Sequence, residues 1–498
     1  MPPLEALQQA VQLLLTGQIL FWIVTGVLLG MVFGALPGIG STLGMAIVLP
    51  LTIPLDGVSA IILLISIYSG AMYAGSIPSI LVNVPGSSAD AATTFDGYPL
   101  ARKGKAINAL VVSAVSSAIG GIVAVVILLL LSPLMIELVL LFGSPQYFLM
   151  AILGLAMITV VTKGSIVKGL TAGAFGLLLA TIGIAPTVPV QRYTFGMLSL
   201  YDGLDFVAVL IGLFAIAEMI RLAGEEQIAD TEVGLQGTVR EGLQATFSYP
   251  VTLLKSALIG LFIGAVPGSG AAISNFISYG EAMRSSSTPE KFGEGTEEGV
   301  VATDAANNAT VGGSLIPTLS FGIPGSGSTA VLLGGLIMHG LRPGPDLFTT
   351  QLDITYSIFL SIFIANVIIL GLGLFVTPRT GYLTVIDTDY IVPVIVVLAT
   401  LGAIALRANW IDVWTIVVLG TLGYFMKKYN YSIIAFVLGV ILGPIAEENL
   451  YRSLRLSGGS FEIFVSNPLS LALVLGIVLI LFGPFLKAKL VKLRTQVL

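Results

Sequence analysis

From Ile19 to Leu55 the chain runs 37 residues without a charge, and Pro37-Gly38 stands at the centre of that run. One straight helix of that length would be about 55 Å long, against a hydrocarbon core of about 30 Å. The run must fold back or cross twice, with its bend at the Pro-Gly pair. Residues 305–341 repeat the problem: 37 positions with no formal charge if His339 is neutral, divided by Pro317, Pro324 and Gly325. Helices broken in this way expose backbone groups that lipid cannot satisfy. Such breaks persist where protein or a polar cavity surrounds them.

The breaks come in pairs. GALPGIG at 34–40 returns as GAVPGSG at 264–270, an offset of 230 with five of seven positions identical. Pro78, Pro85, Gly86 and Ser87 return as Pro317, Pro324, Gly325 and Ser326, an offset of 239. Ile216-Ala217-Glu218 returns as Ile445-Ala446-Glu447, an offset of 229. These spacings describe one duplication of about 230 residues, with the extra nine inserted in the hydrophilic loop 284–299 where the first half has the short PLDG turn. Broken helices in matching positions of two halves point to a transporter's binding site. Arg102, Lys103 and Lys105 follow the second break of one half, whereas Arg342 alone follows it in the other; Lys427 and Lys428 face only Arg192. This opposite loading favours inverted halves.

Composition fixes the solvent. Only 10% of the 498 residues are charged and 56% are hydrophobic, with a mean hydropathy of +1.00. Soluble domains carry roughly 25% charge. The fold class expected is an all-α polytopic membrane protein, built of two ~230-residue repeats with re-entrant Pro-Gly helices and a C-terminal transmembrane helix. Ten to thirteen crossings are expected. The divisions are an amphipathic segment at 1–17, repeat one at 18–222, a polar connector at 223–248, repeat two at 249–454, and a last span with a basic tail at 455–498. The N-terminal stretch lacks a basic n-region and a cleavage site, so it is expected to remain uncleaved.

Several chemistries are excluded. The absence of cysteine removes disulfides, thiolate metal sites and cysteine nucleophiles. The single histidine, His339, with no Ser partner beside it, speaks against a histidine metal cluster or a hydrolase triad and reads as a packed or interfacial residue. GSGST at 325–329 and GSTLG at 40–44 lack the Gly-Lys-Ser/Thr ending of a phosphate loop. No basic stripe suggests nucleic acid.

The helix tips are dense in hydroxyls and amides. The substrate-binding candidates are Gly38, Ser41, Thr42, Ser87 and Ser88 in the first half. In the second half they are Gly268, Asn275, Asn307, Asn308, Thr310, Ser314, Thr318, Gly325, Ser326 and Ser328. Asn83, Thr93, Thr94, Ser269, Ser274 and Thr329 lie in the same stretches. Helix N-termini after a Pro-Gly turn offer free N–H groups and a positive dipole end, which suits carboxylate or phosphate. Unwound carbonyls near the breaks could coordinate sodium. Asp90 and Asp304 border the breaks and are the candidates for cation or proton coupling. Against this, single Ser and Thr residues in membrane helices often bond only their own backbone. Asp90 could cap a helix, and Asp304 could sit at a membrane–loop boundary. Glu218 with Arg221, and Glu447 with Arg452, read as interfacial ion pairs at the ends of spans.

Four stretches resemble one family: GALPGIG, GAVPGSGAAISNFISYGEA at 264–282, EGVVATDAANNATVGGSLIPTLSFGIPGSGSTAVLLGGL at 298–336, and HGLRPGPDLF at 339–348. They are similar to the large membrane subunit of the tripartite tricarboxylate transporters, the TctA family, and the resemblance covers about 15–490. Position 304 is Asp here, where the family pattern often has Glu. The resemblance implies a multi-pass subunit of the bacterial inner membrane. It implies two partners, a small four-helix membrane subunit and a periplasmic solute-binding protein. It also implies uptake of citrate-like tri- and dicarboxylates in symport with Na+ or H+, without ATP or another cofactor and without enzymatic chemistry. The alternative is a channel-like permease for organic anions.

Overall fold

The computed structural model describes residues 3–36, 38–161, 165–185, 190–223, 235–268, 270–377 and 388–481. Pro37, Ser269, residues 224–234 of the 223–248 connector, the end of the last span and the basic tail lie outside the described residues. The chain forms two compact units. One comprises residues 1–136 with 207–424, the other 137–206 with 425–498.

The first unit carries both sets of breaks. The helices around them are α1 (Gly17–Ala35), α2 (Gly40–Val48), α3 (Gly57–Ala74), α4 (Ser76–Leu81), α5 (Thr94–Leu100) and α6 (Ala106–Leu140). They are followed by α7 (Pro250–Gly264), α8 (Gly270–Ser285), α9 (Glu297–Phe321), α10 (Gly327–Met338) and α11 (Leu352–Phe375). The breaks fall where Pro and Gly demand them. α1 ends at Ala35 and α2 begins at Gly40; α7 ends at Gly264 and α8 begins at Gly270. Gly38 and Gly268 both take positive φ, +83° and +74°, the left-handed region that glycine enters without steric cost.

Burial is arranged for lipid. α1 leaves Phe21, Val24, Leu28 and Val32 exposed along one stripe, while Ile19, Ile23 and Val27 are buried with its glycines. α3 is buried all round from Ser59 to Ala74. An exposed apolar stripe costs nothing in hydrocarbon, and association there rests on close packing. Gly30 and Gly34 of α1 lie on the carbonyls of Ile67 and Ala71 in α3, where a Cβ has no room. Gly260 and Gly264 of α7 lie likewise on the carbonyls of Ala306 and Thr310 in α9.

Among the described residues five helices are long and apolar enough to cross a membrane, or six if the pair Val239–Phe247 and Pro250–Gly264, bent by 77°, is one span. Fewer helices of that length are therefore present among the described residues than the ten to thirteen crossings expected. The breaks divide much of the apolar sequence into shorter helices such as Gly327–Met338.

The loop 284–299 is pinned from the other half. Asp96, on α5, accepts the backbone N–H groups of Gly293, Gly295 and Thr296 at 3.0, 2.8 and 2.9 Å through one oxygen. Its other oxygen accepts the Tyr279 hydroxyl at 2.9 Å. The segment that enters α9 is thereby fixed by a carboxylate about 200 residues earlier in the chain.

The second unit is built on the helices Ser144–Ala156, Ile166–Ala180 and Ile433–Leu456. It also holds a two-residue hairpin pairing Gly183–Ile184 with Gln191–Arg192, the one departure from helix in this unit's regular structure among the described residues. The hairpin corrects the expected pairing of Glu447 with Arg452. Arg192 forks onto Glu447 at 2.8 and 3.1 Å, and Arg452 instead pairs with Glu448. Residues five apart on a helix do not share a face, whereas residues four apart do.

Candidate functional site

The tips of the broken helices meet across the two sequence halves. Ser328, in the first turn of α10, shares its hydroxyl with Ser41 at 2.8 Å and Thr42 at 2.9 Å, both in the first turn of α2. On the other side of the cluster, Asn275 of α8 donates to the Ala89 carbonyl at 2.7 Å. Each break is also closed on its neighbour by backbone. Gly38 N–H donates to the Gly86 carbonyl at 3.1 Å, and Gly270 N–H to the Gly325 carbonyl at 3.3 Å.

The serine of each P-G-S sequence is held by the residue three positions on. Ser87 donates to Asp90 Oδ2 from both its N–H (2.9 Å) and its hydroxyl (2.7 Å). Ser326 donates its N–H to Thr329 Oγ1 at 2.8 Å and accepts the Thr329 N–H at 3.2 Å, a reciprocal cap at the start of α10. Between the tips stands Tyr68 of α3, fully buried, with its hydroxyl 3.2 Å from Ser326 and 3.4 Å from Ser314. Nothing in the motifs marks Tyr68. Only its offset of 239 from Asn307 could have drawn attention to it.

The adjacent asparagines diverge. Asn307 donates to the Met72 carbonyl at 2.7 Å and to Asp90 Oδ1 at 3.1 Å. Asn308 donates to Asn366 Oδ1 on α11 at 3.0 Å. Successive helix positions sit about 100° apart, so two neighbours cannot serve one partner. Thr310 bonds the Ala306 carbonyl at 2.8 Å and also meets the Ser274 hydroxyl of α8 at 2.7 Å, whereas Thr318 gives its hydroxyl to the Ser314 carbonyl at 2.6 Å, within its own helix. Ser314 does the same with Val311 at 2.9 Å while keeping its contact with Tyr68. Gly325 lies against Ser314 and the Gly264 carbonyl, where a Cβ would stand 2.8 and 3.0 Å from them. Ser88 is exposed, away from the cluster of hydroxyls. Gly268 holds the turn before α8. Asp304 is fully buried in the body of α9, where Ser76 of α4 donates to its Oδ1; it does not sit at a loop boundary.

One charged residue stands closer to the tips than its place in the sequence suggests. Arg221 is bound to Glu218, at 2.8 Å through Nε and 2.5 Å through Nη2. This pair abuts the Gly38 turn, where a Cβ would come within 2.5 Å of Arg221 Nη2. A guanidinium thus lies beside the break that opens α2. At the far end of α10, His339 Nε2 is 3.0 Å from Thr52 Oγ1. Thr52 gives its own proton to the Leu49 carbonyl at 2.6 Å, which makes the His339 nitrogen the donor. Burial holds the His339 imidazole below its ordinary pKa against the opposing pull of Asp56.

No solved structure matches the chain. An uncharacterized 52.8 kDa protein in the TAR-I ttuC' 3' region of Agrobacterium vitis is 36% identical over 473 residues, 94% of each chain. An uncharacterized protein in the TAR-II ttuC' 3' region of the same organism is 34% identical over 233 residues, 46% of this chain and 96% of its own. The family model described as "Tripartite tricarboxylate transporter TctA family" matches residues 20–465. With nearly the whole length matched and a multi-pass helical architecture, the chain belongs to the TctA family of tripartite tricarboxylate transporters.

Proposed function

We propose that this chain is the large transport subunit of a binding-protein-dependent secondary transporter of the bacterial inner membrane. It imports tri- and dicarboxylates in symport with Na+ or H+. A periplasmic solute-binding protein delivers the substrate, and a small four-helix membrane subunit completes the assembly. The observation that carries this reading is the shared hydroxyl of Ser328 with Ser41 and Thr42. It brings the first turns of α2 and α10 together, so the positive dipole ends of two helices lie side by side. A carboxylate inserted there would exchange hydroxyl–hydroxyl bonds for charge-assisted ones, which are about twice as strong. Arg221 beside Gly38 supplies a cation for a second carboxylate of the same substrate.

The reading includes two structural repeats, related by inversion. The glycine contacts support a duplication: Gly30 on Ile67 and Gly34 on Ala71 match Gly260 on Ala306 and Gly264 on Thr310 at the sequence offsets of 230 and 239. Gly86 packs on Gly75 and the Gly34 carbonyl as Gly325 packs on Ser314 and the Gly264 carbonyl. Repeats of this kind let one half move against the other around a fixed site.

Uptake of a radiolabelled tricarboxylate into proteoliposomes holding the three-part assembly tests the reading. Accumulation above the external concentration, abolished by an ionophore and by Ser328→Leu, is expected. Equilibration without accumulation would mean a channel-like permease instead.

A further inference from the structure

The polar groups on the buried face of α9 are not all accounted for by the tips. Asp304 Oδ2, Asn307 Oδ1 and Asn308 Oδ1 have no hydrogen-bond partner within the protein, and neither do the hydroxyls of Ser113 and Ser116 on α6. All five residues are fully buried. Ser113 stands beside the Asp304 carboxylate without closing a hydrogen bond to it. Ser117, one turn further along α6, approaches the Asp304 carbonyl at 3.4 Å. Asp304 and Asn307, three apart, share a face of α9, opposite Ser76 and Met72.

The amide orientations are not free to change. Asn307 Nδ2 already donates to two acceptors, the Met72 carbonyl and Asp90, so its oxygen must point the other way. Asn308 Nδ2 donates to Asn366 Oδ1, and Asn366 Nδ2 donates to the Ile362 carbonyl at 2.8 Å, which fixes that pair too. The result is an unpartnered carboxylate oxygen on Asp304 with the Ser113 hydroxyl beside it, and an unpartnered amide oxygen on Asn307 one turn along the same face of α9. No ion pair among the described residues includes Asp304.

We propose that Asp304 Oδ2, Asn307 Oδ1 and Ser113 Oγ form the core of a sodium site between α9 and α6. This rests on the transporter reading above and names its coupling ion. A buried carboxylate requires neutralisation. A proton would satisfy Asp304 and one acceptor, leaving the remaining oxygens unmatched. A small hard cation takes several oxygens at once. One carboxylate balances one positive charge, which favours a monovalent ion over a divalent one. Asp90 is then a cap rather than a ligand: both its oxygens are engaged by Ser87 and Asn307, and the position that matches it in the second half, by the offset of 239, is the neutral Thr329. Asn307 is the link, its oxygen on the ion and its nitrogen on the Asp90 tip. Filling the site therefore orders the break at Ser87 that faces the substrate.

The test is thermal unfolding of the purified full-length chain in detergent, titrated with NaCl, KCl or choline chloride at constant ionic strength, with no carboxylate present. Sodium should raise the midpoint saturably, and potassium and choline should not. Asp304→Asn should abolish the shift, and Ser113→Ala, which removes one hydroxyl and tolerates burial, should raise the half-effective sodium concentration about fivefold or more. Identical midpoints in the three salts overturn the proposal, as does a sodium shift unchanged in both variants. The outcomes separate the two readings. A sodium shift without carboxylate uptake would contradict only the transport function. Uptake driven by a pH gradient in sodium-free buffer, with no sodium shift, would contradict only this site.

Discussion

Arg221 shows what a residue's neighbours in space add to its neighbours in sequence. At the end of a span beside Glu218, it reads as an interfacial pair, and the pair does form. Its place against the Gly38 turn comes from how the helix Ala217–Leu222 packs, which no local pattern encodes. Hydrogen bonds to charged groups contribute about 1.5–3 kcal/mol. Arg221→Gln should therefore raise the carboxylate concentration for half-maximal uptake roughly 10- to 100-fold, with Arg221→Lys falling between, as initial-rate measurements would show. Unchanged half-saturation in Arg221→Gln would place the guanidinium outside the site. The hydroxyls divide in the same way. Thr318 bonds its own helix while Thr310 reaches α8 and Ser328 reaches α2, and residue type alone cannot distinguish them.

Among the elements, the breaks were legible and their partners were not. Proline removes an N–H and glycine permits positive φ, so the ends of α1 and α7 follow from local chemistry. That α10 meets α2, while α8 meets the Ala89 turn, depends on contacts 186 to 287 residues apart in sequence. The glycine seams carry a prediction. Gly34→Leu and Gly264→Leu should each prevent α1–α3 or α7–α9 from closing, at a cost of about 1–3 kcal/mol or more for overpacking. Size-exclusion profiles in detergent should lose the monodisperse peak in both; a normal peak in either would contradict the close approach. Asp96→Ala removes the acceptor of three backbone N–H groups and a tyrosine hydroxyl. The Thr296 N–H and the Tyr279 hydroxyl are buried, and leaving them unpaired should cost about 3 kcal/mol. Faster tryptic cleavage at Lys291, in the released loop, would report it; cleavage at the native rate would show that the loop is held otherwise.

For the whole molecule, composition alone established a membrane solvent, and the repeated motifs located the centre of the first unit. The division into two units was not legible, because the matching motifs follow position along the chain whereas the contacts follow packing. The transport reading places the substrate where the α2 and α10 tips now touch, so those tips must separate for a carboxylate to enter. The chain has no cysteine, so an introduced pair is the sole thiol pair present. The most direct measurement is uptake by the assembled transporter carrying Ser41→Cys with Ser328→Cys, before and after oxidation. The pair should crosslink, oxidation should abolish uptake, and a reductant should restore it, while each single variant is insensitive. Full uptake through the crosslinked protein would contradict a substrate site between these tips.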